Sequence, residues 1–252
     1  MTQDSLVSVS TVDHVTTVVL QRSAKRNAID RAMADAIDAA LSALDDDPSV
    51  RVGVLCADGP VFSAGSDLKA DGDYVTEAGG EYGIIRRRRR TPLIAVVEGP
   101  ALGGGMEIVL ACDLVVASTD ASFGLPEVLR GLIPSCAGLF RGPRALPVNI
   151  AREMIFTGDP ISAQRAYEFG LVNRLVEPGR ARAAAAELAA RIAANSPAAV
   201  QASLRALDTV LSAQDELGWA ETDRARTTVH DSPDPKEGIA AFFEGRAPQW
   251  TN

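Results

Sequence analysis

β-branched residues cluster or alternate over Leu6 to Ser10 and Val15 to Leu20, on either side of Val12-Asp13-His14, which predicts a hairpin at the start of the chain. His14 at its turn reads as a solvated loop residue. Gln21 to Asp30 is a basic loop, and Asp30 stands where it can cap a helix with Met33, Ile37, Ala40, Leu41 and Leu44 on one face. The acidic run Asp45 to Asp47 and Pro48 end that helix, and Val52 to Cys56 predicts a buried strand. Leu93 to Val97 is a second continuous apolar run, followed by three glycines, an apolar helical segment (Met106 to Ala111) and another strand (Leu114 to Ala117). From about Glu177 the pattern is helical: Ala181 to Ala194, Pro197 to Ser212, Glu216 to Val229 and Pro233 to Phe243. The pattern as a whole is α/β with a helical last third.

Composition narrows the function classes. At 252 residues the chain can bury a large core, and 46% hydrophobic with 23% charged residues is ordinary for a globular protein. A net charge of −8 argues against a general nucleic-acid binder. No apolar run approaches the ~20 residues of a membrane span. The polar opening M-T-Q-D-S is unlike a secretory leader. Cys56, Cys112 and Cys136 are too scattered for a disulfide framework, and with only His14 and His230 there is no metal-ligand cluster. A cytoplasmic protein without a bound metal is the expectation.

The candidate chemistry lies between Gly99 and Gly131. Gly103 to Gly105 fall where a strand gives way to a helix, so backbone can approach a ligand closely and the first helical N–H groups stay unpaired. Such N–H groups suit a negatively charged oxygen. Glu107 sits in the first turn and Glu127 follows in L-P-E. Two carboxylates beside an anion hole are the parts needed for proton transfer next to a carbonyl. Upstream, F-S-A-G-S-D-L-K (Phe62 to Lys69) ends the Val52 strand with small residues that again let backbone donors face a ligand. Five arginines, Arg86 to Arg90, read as a solvated helix end, or as one or two cations reaching phosphates or a neighbouring subunit. Cys136 has no histidine near it in sequence and reads as packing.

F-S-A-G-S-D-L-K followed by G-G-G-M-E, with 20 residues from Glu107 to Glu127, resembles the crotonase (enoyl-CoA hydratase/isomerase) superfamily. The resemblance runs from the first hairpin to G-I-A-A-F-F-E-G-R. It includes a helix at Ala151 to Thr157, a turn at Asp159-Pro160, Ser162 capping the next helix and a strand after it. It implies a crotonase-like spiral of repeated ββα units with a C-terminal helical segment, divided as an acyl-CoA-binding core (residues 1–193) and a helical oligomerisation segment (residues 194–252). It also implies an acyl-CoA substrate, with coenzyme A as part of that substrate and no separate cofactor. The N–H groups of Ser66 and Gly104 would be the oxyanion hole, and Glu107 and Glu127 the catalytic pair. Arg26, Ala64, Ser66, Asp67, Leu68, Lys69 and Gly104 would bind the substrate, Arg26 at its nucleotide end.

The reaction implied is reversible hydration of a 2-enoyl-CoA in fatty acid metabolism. The alternatives are an enoyl-CoA isomerase, a carnitinyl-CoA dehydratase (suggested by S-A-G-x-D-L-K, A-S-F-x-L-P-E and A-F-F-E-x-R-x-P-x-W) and a non-catalytic acyl-CoA-binding protein. The expected assembly is a homotrimer or a hexamer built as a dimer of trimers, with Phe242, Phe243 and Trp250 buried on the core or a partner. Two departures stand out. Ser66 carries a hydroxyl where many relatives carry Ala, and Ser135, Cys136 and Ala137 occupy a segment that is usually richer in glycine. Both bear on the acyl pocket, as does the Gly-rich acidic stretch Asp71 to Gly83.

Overall fold

The computed structural model describes residues 5–70 and 74–250. The opening M-T-Q-D, the start of the acidic loop at 71–73 and residues 251–252 lie outside them. The predicted hairpin forms as β1 (Val7–Val12) and β2 (Val15–Leu20), paired antiparallel, with Asp13 and His14 both at positive φ in the turn. His14 is exposed, with Nδ1 2.8 Å from the Ser49 carbonyl. In the following helix, α1 (Arg31–Asp46), the Asp30 carboxylate accepts the Met33 N–H at 2.9 Å, as its spacing predicts. All five apolar positions on the predicted face are buried.

The chain continues through β3 (Val52–Ala57), β4 (Val75–Thr76), β5 (Gly80–Glu81), β6 (Leu93–Val97), β7 (Ala101–Leu102) and α2 (Gly104–Leu110). Then come β8 (Leu114–Ser118), β9 (Ser122–Gly124), a 3-10 turn over Pro126–Arg130, α3 (Gly138–Ala145) and α4 (Val148–Thr157). β10 (Ile161–Ser162), α5 (Ala163–Glu168), β11 (Arg174–Val176) and α6 (Ala181–Ala193) precede α7 (Pro197–Leu211), α8 (Asp215–His230) and α9 (Asp234–Glu244). Ser162 caps α5 by accepting the Arg165 N–H.

The main sheet has the order β1-β2-β3-β6-β8-β11, parallel from β2 onward. A smaller sheet runs β10-β9-β7. The runs β6–β7–α2 and β8–β9–α3 each place one strand in the large sheet and one in the small sheet before a helix. That is the repeated ββα unit the resemblance implies.

Burial on both faces explains the unbroken apolar strands. Val52, Val54 and Cys56 of β3, with Ile94, Val96 and Val116, face the alanines 181, 185, 189 and 193 of α6. Four alanines at every fourth position let that helix lie close on the sheet. Leu55, Leu93 and Ala95 face the other way, into the larger core with α1 and α2.

The arginine run departs from the expectation of a solvated helix end. Residues 82–86 form turns and 87–89 have no regular structure, so there is no helix to end. Arg86 forks onto Glu81 and stacks 3.6 Å above the Trp219 ring of α8. Arg87 binds Asp38 and Ser42 of α1. Arg89, buried, grips both oxygens of Asp113 at 2.6 and 2.8 Å and the carbonyls of Thr91 and Ala111. Arg90 holds the Asp45 carbonyl. Because the chain winds in turns, successive guanidinium groups point at different elements and tie α1, α2, β6 and α8 together. Arg88 is exposed.

Candidate active site

The site is assembled where two loops touch. In the first, the Ile29 N–H donates to the Gly65 carbonyl and the Asp67 N–H donates to the Ile29 carbonyl, both at 2.8 Å. Ser66 lies between these bonds, so its own N–H turns away from Ile29. Buried Asn27 braces this loop: its side-chain amide donates to the carbonyls of Asp58 and Val61, and its oxygen accepts the Arg22 N–H. In the second loop, Gly103 has φ +57, and Gly104 opens α2. Among the described residues, no protein group accepts from the N–H of Ser66 or of Gly104.

Close approach accounts for the glycines. A Cβ on Gly65 (φ +83) would lie 2.6 Å from the Gly104 nitrogen, and one on Gly105 would lie 2.2 Å from the Ser63 carbonyl oxygen. The two loops therefore meet backbone to backbone, with two unpaired N–H groups at the junction. Two fixed donors at one junction are what an oxyanion hole needs to take one developing negative oxygen.

Glu107 is 2% exposed, one turn into α2. Its Oε1 accepts the N–H groups of Cys136 and Gly138 at 2.7 and 2.9 Å. The donors come from a tight segment in which Ala137 adopts the left-handed conformation (φ +80), so successive N–H groups converge as in an anion-binding nest. Burial pushes the Glu107 carboxyl well above the ordinary carboxylate range, while these two N–H groups pull against it. Glu127 sits on the 3-10 turn, with Oε1 3.2 Å from where a Gly103 Cβ would stand. Its Oε2 is buried with no hydrogen-bond partner among the described residues. Burial, then the charge of Glu107, drives its carboxyl upward as well.

The two carboxyls are thus electrostatically one site with unequal environments. Glu107 has donors that favour its anion. Glu127 faces the like charge of Glu107, against which only its own backbone N–H and Arg130 pull, so it is the one that holds a proton first.

The remaining predicted binding residues surround the mouth. Arg26 is exposed, at φ +54, and its carbonyl accepts the Ala64 N–H at 3.0 Å. Ala64 is exposed beside it, and Leu68 is half-buried. The Asp67 carboxylate accepts from Arg22 at 2.9 Å and from the Lys69 N–H at 3.1 Å, so it shapes the loop from within. The Lys69 ammonium stands 5.2 Å from the ring centre of Phe243 on α9. That helix also packs on the turn bearing Glu127, where a Cβ on Gly238 would lie 2.3 Å from the Arg130 carbonyl carbon. Phe242 and Phe243 are still 45% and 48% exposed within one chain. Cys136 is buried packing, its thiol held up by burial.

Sequence reasoning missed four residues of this region. The backbone donors of Cys136 and Gly138 have no side-chain signature. Asn27 was passed over inside the K-R-N-A loop. Tyr82 is buried, at φ +58, and places its hydroxyl 2.8 Å from Ser66 Oγ.

The chain is similar over nearly its whole length to proteins of one family. The pattern of the enoyl-CoA hydratase/isomerase family matches residues 11–252. A mevalonyl-coenzyme A hydratase of Aspergillus fumigatus is 37% identical, the match covering 98% of this chain and 95% of that protein. An enoyl-CoA hydratase of Mycobacterium tuberculosis is 38% identical over 95% of this chain and 94% of its own. Among solved structures, a carnitinyl-CoA hydratase from Mycobacterium avium superposes with a TM-score of 0.92 at 38% identity, covering 99% of both chains. A fold, a pair of glutamates and a full-length match of this kind leave one conclusion: the chain belongs to the enoyl-CoA hydratase/isomerase family and has the crotonase fold.

Proposed function

We propose that the protein catalyses reversible addition of water to a 2-enoyl-CoA thioester, with Glu107 as the base and Glu127 as the acid in the hydration direction. The observation that carries this reading is the asymmetry of the two carboxyls beside two unpaired N–H groups. The thioester oxygen lies between the N–H groups of Ser66 and Gly104, which stabilise the enolate as it forms. Glu107 takes a proton from water while the water oxygen bonds to Cβ. Electrons of the C=C bond move toward the thioester, and Glu127 delivers its proton to Cα. The pair begins and ends with one proton, moved from Glu127 to Glu107, and the reverse sequence expels water. Arg26, exposed at the mouth, is placed to meet the nucleotide phosphates, and the Ser66–Lys69 loop to line the thioester end.

The direct test is turnover of crotonyl-CoA, longer 2-enoyl-CoAs, a 3-enoyl-CoA and carnitinyl-CoA side by side. Hydration of 2-enoyl-CoA with little shift of the 3-enoyl double bond is expected. Isomerisation as the dominant activity would overturn the two-carboxylate scheme.

The carboxyl environments also predict a pH effect on stability. A carboxyl whose folded pKa is raised binds its proton more tightly folded than unfolded. Its contribution is complete below the unfolded value near pH ~4.3 and is lost as pH rises through the raised one. Both glutamates behave this way. Glu127→Gln, which cannot ionise, is therefore expected to melt higher than the parent at pH 9 and to lose that advantage toward pH 5. A melting-temperature difference that does not change with pH would contradict a buried, protonated Glu127.

A trimer, or a dimer of trimers, is the assembly proposed. Its support is the apolar surface that one chain leaves open on its C-terminal helices, including Val210 (73% exposed) and Leu217 (64%). No helix among the described residues is long and apolar enough to cross a membrane. Light scattering at micromolar concentration should give a mass several times the 26.5 kDa chain. A stable monomer would refute the assembly.

A further inference from the structure

Packing accounts for the burial of Cys136 but not for the partners of its thiol. Cys136 is 2% exposed, and its backbone N–H already anchors Glu107 Oε1 at 2.7 Å. Its side chain turns to the same carboxylate and hydrogen-bonds with it. On the other side the sulfur meets two hydroxyls, that of Tyr82 and that of Ser135, the latter with Oγ 3.9 Å from Sγ. Tyr82 is 2% exposed, and its hydroxyl lies 2.8 Å from Ser66 Oγ. The Tyr74 hydroxyl hydrogen-bonds with this Ser66–Tyr82 pair. One unbroken line therefore runs from the oxyanion loop to the base, through Ser66, Tyr82 and Cys136 to Glu107.

The protons available fix the direction of that line. An ionised carboxylate only accepts, so the thiol, with its single proton, donates to Glu107. The sulfur is left to accept from Tyr82 and Ser135. Tyr82 uses its one proton on the sulfur, which leaves its oxygen to accept from Ser66. Burial holds the Cys136 thiol and the Tyr82 phenol well above their ordinary ranges, so both keep their protons while Glu107 titrates. Protonating Glu107 removes the acceptor at the end of the line and leaves sulfur, a weak acceptor, as its partner there. The line therefore favours the ionised base. Glu127 differs, with Oε2 buried and unpartnered among the described residues. The other charged groups acting on this carboxylate are Glu127 on the 3-10 turn, Glu81 on β5, itself forked by Arg86, and Arg141 on α3.

We propose that Cys136 is a positioning residue for the hydration step, its thiol the last donor of a one-way chain from Ser66 through Tyr82 that holds the Glu107 carboxylate ready to accept a proton from water. The proposal rests on the hydratase reading for the role of Glu107.

The kinetic test is the pH profile of kcat/KM for crotonyl-CoA, whose acid limb reports ionisation of the base. Cys136→Ala keeps the backbone N–H and removes the thiol. It should move the acid limb upward by about one pH unit, a tenfold weaker hold on the anion. Tyr82→Phe should move it the same way by less. Cys136→Ser, which keeps a donor, should return the limb to the parental position or below it. An acid limb unmoved in Cys136→Ala or in Tyr82→Phe overturns the proposal. So does an equal rise in Cys136→Ala and Cys136→Ser, because lost packing does not depend on a donor.

Infrared spectroscopy supplies a readout that needs neither turnover nor an alanine variant. The S–H stretching band that Cys136→Ser deletes should lie below those of Cys56 and Cys112, and should rise in frequency as Glu107 takes up its proton. In Glu107→Gln that response should be absent. A Cys136 band indifferent to pH overturns the proposal even where Cys136→Ala does not fold. Absence of hydration with every 2-enoyl-CoA, with the band still titrating, would instead sink the hydratase reading and leave the chain onto Glu107 standing.

Discussion

Glu107→Gln and Glu127→Gln are each expected to lower kcat by roughly 10²–10⁴, the usual contribution of a positioned general acid or base, with little change in the affinity for an acyl-CoA product. The two should differ in kind. Glu107 accepts two backbone N–H groups on Oε1. An amide oxygen can still accept them, so Glu107→Gln should keep the fold and lose the base. Glu127 has only its own backbone N–H and an unsatisfied buried Oε2, so removing its acidity should relieve an electrostatic cost while abolishing proton delivery to Cα. The matching pH profile for the parent is bell-shaped, with full activity only while one of the pair is ionised and the other protonated. Its optimum lies above the ordinary carboxylate range because burial raises both groups. Solvent-hydrogen exchange at Cα of the product separates the roles. Glu127→Gln should suppress it, and exchange at the parental rate in that variant would show that another group supplies the proton.

What could be read from the chain was what is local. The Asp30 cap, the buried face of α1 and the apolar strands β3, β6 and β8 depend on spacings of a few residues, and the structure has them where the pattern puts them. Glu107 within the first turn of a helix was legible for the same reason. The small sheet was not, because β7, β9 and β10 are two or three residues long and held by neighbours distant in sequence. α3 was also passed over: Pro143 lies inside it, and Gly138 and Gly142 lower its propensity. It exists because Phe140 packs edge-on against Trp219 of α8, a contact between residues 79 positions apart. The arginine run illustrates the converse error. A block of five cations suggests a solvated surface, yet acidic and carbonyl partners in α1 and just beyond α2 draw Arg87, Arg89 and Arg90 in, while Arg86 pairs with Glu81 at the surface. Charge patterning along the chain carries no information about partners that only tertiary structure supplies.

The hydroxyl at position 66 shows how one residue can be read at two levels. In sequence it is a small departure beside a backbone donor, and the donor is indifferent to it. In the structure it meets Tyr82, whose ring also rests on Gly104. A backbone N–H donates whatever side chain its residue carries, so the Ser66 hydroxyl stands outside the proposed two-donor scheme.

Gly65→Ala is expected to disrupt the oxyanion hole proposed at Ser66 and Gly104. Gly65 stands at φ +83, and an added Cβ would lie 2.6 Å from the Gly104 nitrogen and 3.1 Å from the Leu102 carbonyl oxygen. Those neighbours are backbone, so they cannot yield as a flexible side chain would. The loops must separate, taking the Ser66 and Gly104 N–H groups off a common point. Losing one well-placed donor costs about 2.7–4 kcal/mol in the transition state, so kcat should fall by roughly 10²–10³. Affinity for the CoA portion, bound farther out, should change little. The left-handed conformation alone disfavours a non-glycine residue by about 1–2 kcal/mol, and that cost must be kept apart from the catalytic one. Gly170→Ala provides the control, because Gly170 has φ +84 and no atom within 4 Å of an added Cβ. It should lower the melting temperature by a comparable strain and leave kcat at the parental value. Equal kcat in the two variants would mean that the contact between the loops does not set the hole, and that the Ser66 and Gly104 donors do not act as a pair.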